Sequence, residues 1–124
     1  MDSHTLIWAV DSPGLLGSQA RTALADPNQE LLVSAATIWE LSIKCGLGKL
    51  NLSPDYKAWI QKAIADLSAN VLPITIDAAA LQSQLPGHHR DPFDRMLIAQ
   101  AMADGLLLVS NDSKFDQYGI HRLW

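Results

Sequence analysis

Residues 88–101 are His88-His89-Arg90-Asp91-Pro92-Phe93-Asp94-Arg95-Met96-Leu97-Ile98-Ala99-Gln100-Ala101, a polar loop that turns into a helix at a well-marked point. Asp91 is a good N-cap, and Pro92 follows at the first helical position, where its missing N–H costs nothing. Asp94 falls in the first turn, where unpaired backbone N–H groups and the helix dipole favour an anion. Gly105 predicts the end of the helix.

A buried strand is predicted directly after this helix. The apolar run 106–110 suits a strand of a parallel sheet, and it ends in Asn111 and Asp112. In open α/β sheets, ligands bind beyond the carboxyl ends of the strands. We therefore expect an α/β active site here, where a helix is followed by a strand that ends in polar and acidic residues.

Strands and helices alternate along the rest of the chain. Hydrophobic periodicity and cap residues predict helices over 5–10, 18–25, 35–44, from Pro54 onward and over 78–84 with Asp77 as its cap. Strands are predicted over 31–33, 71–76 and 120–124, and Pro73 makes the second of these an edge strand. The alternation predicts an α/β fold with a mostly parallel sheet covered on both faces.

Composition limits the class of protein. A length of 124 residues predicts one domain, 1–124, and 48% hydrophobic against 18% charged residues is typical of a globular chain. The net charge of −4 argues against a protein that grips nucleic acid by bulk positive charge. No apolar run is long enough for a membrane span and no leader is recognisable, so we expect a cytoplasmic protein with no membrane partner.

Four acids stand out by their positions. Asp2 precedes the first helix, and Glu40 lies in an otherwise apolar helix. Asp94 lies in the first turn of the helix that follows Asp91, and Asp112 ends the predicted strand. Carboxylates gathered without a cation would repel one another, and hard oxygen ligands suit Mg²⁺ or Mn²⁺. The alternatives are a helix cap for Asp2, a dipole-stabilising residue for Asp94 and a turn residue for Asp112. Glu40 is the hardest to explain in this way.

Other polar and apolar features give weaker signals. We expect His88 and His89 to lie in a solvated loop, because no companion Cys or His cluster completes a zinc site. The apolar stripe containing Trp59 and Ile60 suits either core packing or a partner's groove. Five cations are candidates for phosphate contact, although most such charges are simply solvated: Lys44, Lys49, Arg90, Arg95 and Lys114.

Five segments taken in order resemble the PIN-domain proteins of the VapC toxin type. They are residues 2–8, 34–44, 46–50, 88–95 and 108–112. The resemblance covers essentially the whole chain. It implies a three-layer α/β/α sandwich with a parallel sheet of four or five strands in the order 3-2-1-4-5. It also implies an endoribonuclease that depends on Mg²⁺ or Mn²⁺, the toxin half of a toxin–antitoxin pair.

The resemblance also assigns residues and partners. Asp2, Glu40, Asp94 and Asp112 match the catalytic, metal-binding acids, Ser110 and Asn111 are expected to support them, and Asp91 matches the helix cap. The expected partners are an RNA substrate, a cognate antitoxin and a second copy in a homodimer. A cation held by the acids would activate water for in-line attack on phosphorus, leaving a 5′-phosphate and a 3′-hydroxyl.

One departure and two alternatives accompany this interpretation. The family has a central strand before its first acid, whereas only Met1 precedes Asp2, so either the start is truncated or misassigned, or the sheet lacks its middle strand. A phosphatase of the haloacid dehalogenase kind would need Asp-x-Asp where the sequence has Asp2-Ser3-His4. A non-catalytic PIN-like binding module is the other alternative, and a metal titration would distinguish it.

Overall fold

Six α-helices and four short strands alternate in the computed structural model, which describes residues 1–124. The helices are α1 Ser3–Asp11, α2 Ser18–Ala25, α3 Ala35–Gly46, α4 Tyr56–Asp66, α5 Ile76–Ser83 and α6 Pro92–Asp104. The strands are β1 Leu32–Ser34, β2 Asn70–Leu72, β3 Leu108–Val109 and β4 Arg122–Leu123. Two 3-10 helices, Pro13–Leu15 and Ser113–Tyr118, complete the regular structure. The predicted α/β class is confirmed.

The strands form two parallel pairs. β1 pairs with β2, with Val33 opposite Val71, and β3 pairs with β4, with Leu108 opposite Arg122. Every strand has a single neighbour, and β2 ends at Leu72, before Pro73, so the strand predicted over 71–76 is shorter than expected. The two pairs correspond to the outer pairs of the order 3-2-1-4-5, and no strand lies between them. The parallel sheet of four or five strands that the resemblance implies is therefore interrupted between these two pairs.

An apolar cavity of about 300 Å³ lies between the strand pairs. It is lined by residues of all four strands, by Met1, and by parts of α2 and α6. The backbone of the first residues closes one end, because the Asp2 N–H donates to the Val109 carbonyl (3.4 Å) and the Thr37 hydroxyl donates to that of Met1 (3.3 Å). This cavity is called the central slot below.

Buried side chains lie on both faces of the strands. One cluster contains Leu6, Leu41 and Trp59 from α1, α3 and α4, and another contains Ile98 and Phe115. The neighbouring β3 residues Leu108 and Val109 join different clusters. Because successive strand residues point to opposite faces, the two clusters cover the two sides of β3. This matches the layered arrangement expected for the fold.

Two predicted helix starts are wrong. α4 begins at Tyr56, not near Pro54, because the Asp55 carboxylate caps it by accepting from the Ala58 N–H (2.9 Å). α5 begins at Ile76, because the Thr75 hydroxyl accepts from the Ala78 N–H (3.1 Å) and takes the cap position expected for Asp77. In both places two polar residues compete for one cap, and sequence alone does not rank them.

Two predictions about helix faces also change. The nearly continuous apolar sequence of α3 favours a helix buried on all sides, but Trp39 on this helix is 60% exposed. On α4, Trp59, Ile60 and Ala63 are buried in the core, so this stripe is not a free groove for a partner. None of the helices is both long enough and apolar enough to cross a lipid bilayer.

Candidate metal centre

The first turn of α6 presents Asp94 to the site. Asp91 Oδ1 accepts hydrogen bonds from the backbone N–H groups of Phe93 (2.8 Å) and Asp94 (3.1 Å), with Pro92 at the first helical position. The Asp91 carboxylate is therefore occupied by the helix end, as a cap is. Three residues later, the Asp94 side chain is left to face the other acids.

His89 joins Asp94 to Asp112. Its Nε2 lies 3.0 Å from Asp94 Oδ2 and 3.3 Å from Asp112 Oδ2, and these three atoms all lie within 4.8 Å of one another. His89 is only 9% exposed, so the expectation of a solvated loop is wrong for this residue. Two carboxylate oxygens and a nitrogen at such spacing form a group that one divalent cation can bridge.

The loop before α6 is held in place by contacts that position His89. The Arg95 guanidinium donates to the carbonyls of Gln82 (3.0 Å), Leu85 (2.9 Å), Pro86 (2.8 Å) and His89 (3.2 Å). The His89 N–H donates to the Tyr118 hydroxyl (2.7 Å), which donates to Pro86 (2.8 Å), and the imidazole packs on Phe115. Arg95 is therefore a structural residue and not a free phosphate ligand.

Asp2 and Ser110 connect the start of α1 to the end of β3. Asp2 Oδ1 caps α1 by accepting from the Thr5 N–H (3.1 Å), and Oδ2 accepts from the Ser110 hydroxyl (2.6 Å). Ser110 is fully buried, and its Oγ also accepts from the Asp112 N–H (3.0 Å). The hydroxyl thus bridges Asp2 to the Asp112 backbone. Asn111 is exposed and takes no part in these contacts.

Glu40 is buried on the inner side of α3. One carboxylate oxygen accepts a hydrogen bond from the Ser3 hydroxyl, and the other lies 3.3 Å from Lys44 Nζ, one helical turn along. Glu40 is only 7% exposed, so these partners offset part of the cost of burying a charge. Lys44 is therefore engaged with the site and is not a solvated cation.

The neighbouring acids change the pKa of Asp94. Burial, followed in order of size by the charges of Asp91, Asp2, Glu40 and Asp112, raises the pKa of Asp94 from 3.8 to about 8. Each of these carboxylates therefore lies close enough to repel a charge on Asp94. Such a cluster favours either a bound proton or a bound cation.

The PIN domain family model matches residues 1–120, which is nearly all of the chain. The chain belongs to the PIN domain family. It is also similar to a curated protein, Ribonuclease VapC22 from Mycobacterium tuberculosis (strain ATCC 25618 / H37Rv). The two are 29% identical over 116 residues, which is 92% of this chain and 86% of that protein. The resemblance inferred from the sequence is confirmed.

In this PIN domain, the structure brings together the predicted acids Asp94 and Asp112, and it places Asp2 and Glu40 within electrostatic reach. Sequence reasoning missed His89 as part of the site. The only available signal was its place three residues before the helix, since its burial depends on residues some thirty positions away in sequence. Of the predicted cations, Arg90 and Lys114 line an open polar pocket beside His89.

Proposed function

We propose that this PIN domain is a metal-dependent endoribonuclease, the toxin of a VapC-type toxin–antitoxin pair. The observation that carries the proposal is the convergence of Asp94, Asp112 and His89 within 4.8 Å at the carboxyl end of β3. The name of the similar ribonuclease supports RNA as the substrate. The haloacid dehalogenase alternative is set aside, because the chain is a PIN domain and has His4 where the second aspartate of an Asp-x-Asp motif would stand.

The residues present fit a divalent cation. Asp94 and Asp112 supply two oxygens that suit Mg²⁺ or Mn²⁺, and His89 Nε2 is a third donor atom. The pKa of Asp94 is raised by burial and then by neighbouring carboxylates, whose negative charge a cation would neutralise. When bound, the cation would supply an activated water and stabilise charge on the phosphate.

Asp2 and Glu40 are proposed as further ligands of the same site. Both are buried and both act on Asp94, but each is already hydrogen-bonded, Asp2 to Ser110 and Glu40 to Ser3. Direct binding to a cation would therefore use the lone pairs left by these contacts or exchange them. In either case the two acids add negative charge that holds the cation.

The substrate would meet cations at the rim of the site. Arg90 and Lys114 line the open pocket that also contains His89 and Asp91. Lys114 lies two residues after Asp112, so its ammonium group is placed to contact a phosphate next to the acids. We propose that these two residues orient the RNA backbone.

We further propose two protein partners, an antitoxin and a second copy of the chain. An acidic site invites a basic segment, and an antitoxin arginine near the carboxylates would form charge-assisted hydrogen bonds. Co-expression with the neighbouring reading frame, followed by copurification and a measurement of mass in solution, tests both partners. Purification as a monomer without any small protein would contradict them.

The decisive experiment compares two aspartates of the same helix end. Asp94→Asn, Asp112→Asn and Glu40→Gln are each expected to reduce RNA cleavage by roughly a hundredfold or more, because each weakens cation binding. Asp91→Asn is the matched control, because asparagine caps a helix about as well as aspartate. Cleavage is measured with Mg²⁺ or Mn²⁺ against EDTA, and melting curves check the fold.

Full activity of Asp94→Asn, with contaminating ribonuclease excluded, would falsify the mechanism. Equal losses in Asp91→Asn and Asp94→Asn would mean that the cap and the ligand have been confused. A wild-type protein whose melting temperature rises with metal but that cleaves no RNA would favour the non-catalytic binding module. We expect metal to raise the melting temperature of the wild-type protein, because the cation binds only the folded site.

A further inference from the structure

Two aromatic residues directly precede acids of the candidate metal centre in the sequence. Trp39 precedes Glu40 on α3, and Phe93 precedes Asp94 on α6. Their rings meet edge to face, with centroids 5.4 Å apart and planes at 80°. The two helices that carry the acids are thus joined by an aromatic contact next to the site.

Trp39 is unusual among the four tryptophans because it is exposed. Its exposed fraction is 60%, whereas Trp59 is 3% exposed, and Trp8 and Trp124 are half-buried and packed on each other. The exposed ring of Trp39 is apolar area that a bound ligand would remove from water. Phe93 restricts the ring, so less side-chain freedom is lost when a ligand binds.

We propose that Trp39 is a stacking platform for one nucleobase of single-stranded RNA, next to the phosphate that is cleaved. Phe93 is the positioning residue that holds the platform. This inference rests on the ribonuclease function proposed above. A nucleobase fits because it presents a flat π-face, and the platform lies within one residue of two acids in the site.

The charge of the protein supports stacking as the source of affinity. The chain has a net charge of −4, and the acid cluster repels phosphate until a cation is bound. Base stacking does not depend on ionic contacts and contributes roughly tenfold in affinity for each base. A duplex keeps its base faces stacked internally, so the platform should favour single strands.

A second exposed apolar side chain, Leu47, lies at the C-terminal end of α3 and is 64% exposed. Leu47 is the residue directly after the helix and has no flat ring. Leu47→Ala is therefore a matched control for loss of exposed apolar area on this helix. Trp39→Phe keeps a smaller aromatic face, whereas Trp39→Ala removes it.

The test uses a short single-stranded oligoribonucleotide that carries one abasic ribose, moved in turn through the positions flanking the cleaved bond. Binding is measured with the labelled oligomers, and KM and kcat are measured with Mn²⁺. We expect Trp39→Ala to raise KM and weaken binding by roughly tenfold. Trp39→Phe should recover most of this loss, and Leu47→Ala should resemble wild type. At one position, the abasic sugar should weaken binding to the wild-type protein by the same factor. The same oligomer should bind Trp39→Ala as tightly as the intact oligomer does.

The outcomes separate the inference from the proposed function. Unchanged binding and KM in Trp39→Ala, or equal further losses at every abasic position, would overturn the platform. The platform would also be overturned if Trp39→Ala lost binding to a partner protein and kept binding to RNA, because the ring would then be a protein contact. If wild type cleaves no RNA at all, the proposed function fails, and the binding series still decides whether Trp39 stacks a base.

Discussion

Asp94 holds a proton at neutral pH in the metal-free protein, because burial and four neighbouring carboxylates raise its pKa to about 8. The same residue in the unfolded chain titrates near its ordinary value of 3.8. A single side chain thus links the stability of the fold to the charge of the site. A cation that replaces the proton would relieve the same repulsion.

The first prediction concerns the pH dependence of stability in EDTA. Between about pH 4 and about pH 8 the unfolded chain has released the Asp94 proton while the fold retains it, so rising pH favours unfolding. The stabilising contribution is fully present below about pH 4 and is lost as the pH rises through about 8. Denaturant titrations across this range should show a steeper fall in unfolding free energy for wild type than for Asp94→Asn, which cannot titrate.

Asp104→Asn is the control for this measurement, because Asp104 is an exposed acid at the other end of α6. It should keep the wild-type slope. Equal slopes in wild type and Asp94→Asn would show that Asp94 titrates normally and that the acids do not act on it.

At the level of single elements, close packing explains one glycine. Gly17 has an ordinary φ of −64°, so its role is not conformational. A Cβ at this position would lie 2.4 Å from the Trp124 carbonyl carbon and 2.7 Å from its Cδ1. The start of α2 therefore packs directly on the last residue of the chain, which also contacts Trp8 on α1.

We predict that Gly17→Ala lowers the free energy of unfolding by ~1–3 kcal/mol, because the added methyl group must displace backbone. Gly14→Ala is the control, since a Cβ there meets nothing within 4 Å. Urea denaturation of both variants measures the difference. Equal stability of the two variants would show that the contact between Gly17 and Trp124 relaxes without cost.

The elements differ in how far sequence predicted them. α6 was predicted almost to the residue, because its signals are local: Asp91 caps it, Pro92 starts it, and Gly105 ends it with a φ of 63°. The exposure of Trp39 and the burial of His89 were not predicted, because each depends on a neighbouring element. Trp39 meets Phe93 on α6, and His89 meets Tyr118 in the last 3-10 helix.

The candidate site was predictable to a similar extent. The four acids stood out as a set, because carboxylates are seldom buried unless they are paired or bound to a cation, and Asp94 and Asp112 do converge. Which donor atoms lie together was not predictable, since this depends on how the loop before α6 folds back. Arg95 holds that loop through four carbonyl groups, a role that its position in the sequence does not reveal.

At the scale of the whole molecule, the site lies across the gap between the two strand pairs. Glu40 follows β1 on α3, whereas Asp112 follows β3. Contacts from the first residues connect the halves here, through Asp2 to Ser110 and Val109, and from Thr37 to Met1. The spacing of the acids therefore depends on how firmly these contacts hold the two strand pairs together across the central slot.

The last prediction tests this dependence by filling the slot. β1 and β3 each lack a strand neighbour on one side, and the walls between them are largely apolar, so an added parallel strand would pair with both. A run of valine and isoleucine joined ahead of Met1, matched in length to the neighbouring strands, should raise the melting temperature by roughly 5 °C or more.

A glycine-serine run of equal length is the control. Burial lowers the pKa of the Met1 amino group, and either extension replaces that group with a neutral amide, so relief of this charge is common to both. Only the apolar run can fill the slot and pack against its apolar walls, and β-branched residues favour strand geometry. The difference between the two melting temperatures therefore isolates packing and strand pairing. Equal melting temperatures would show that the slot does not accept a strand and that the two halves are already held in place by Asp2 and its neighbours.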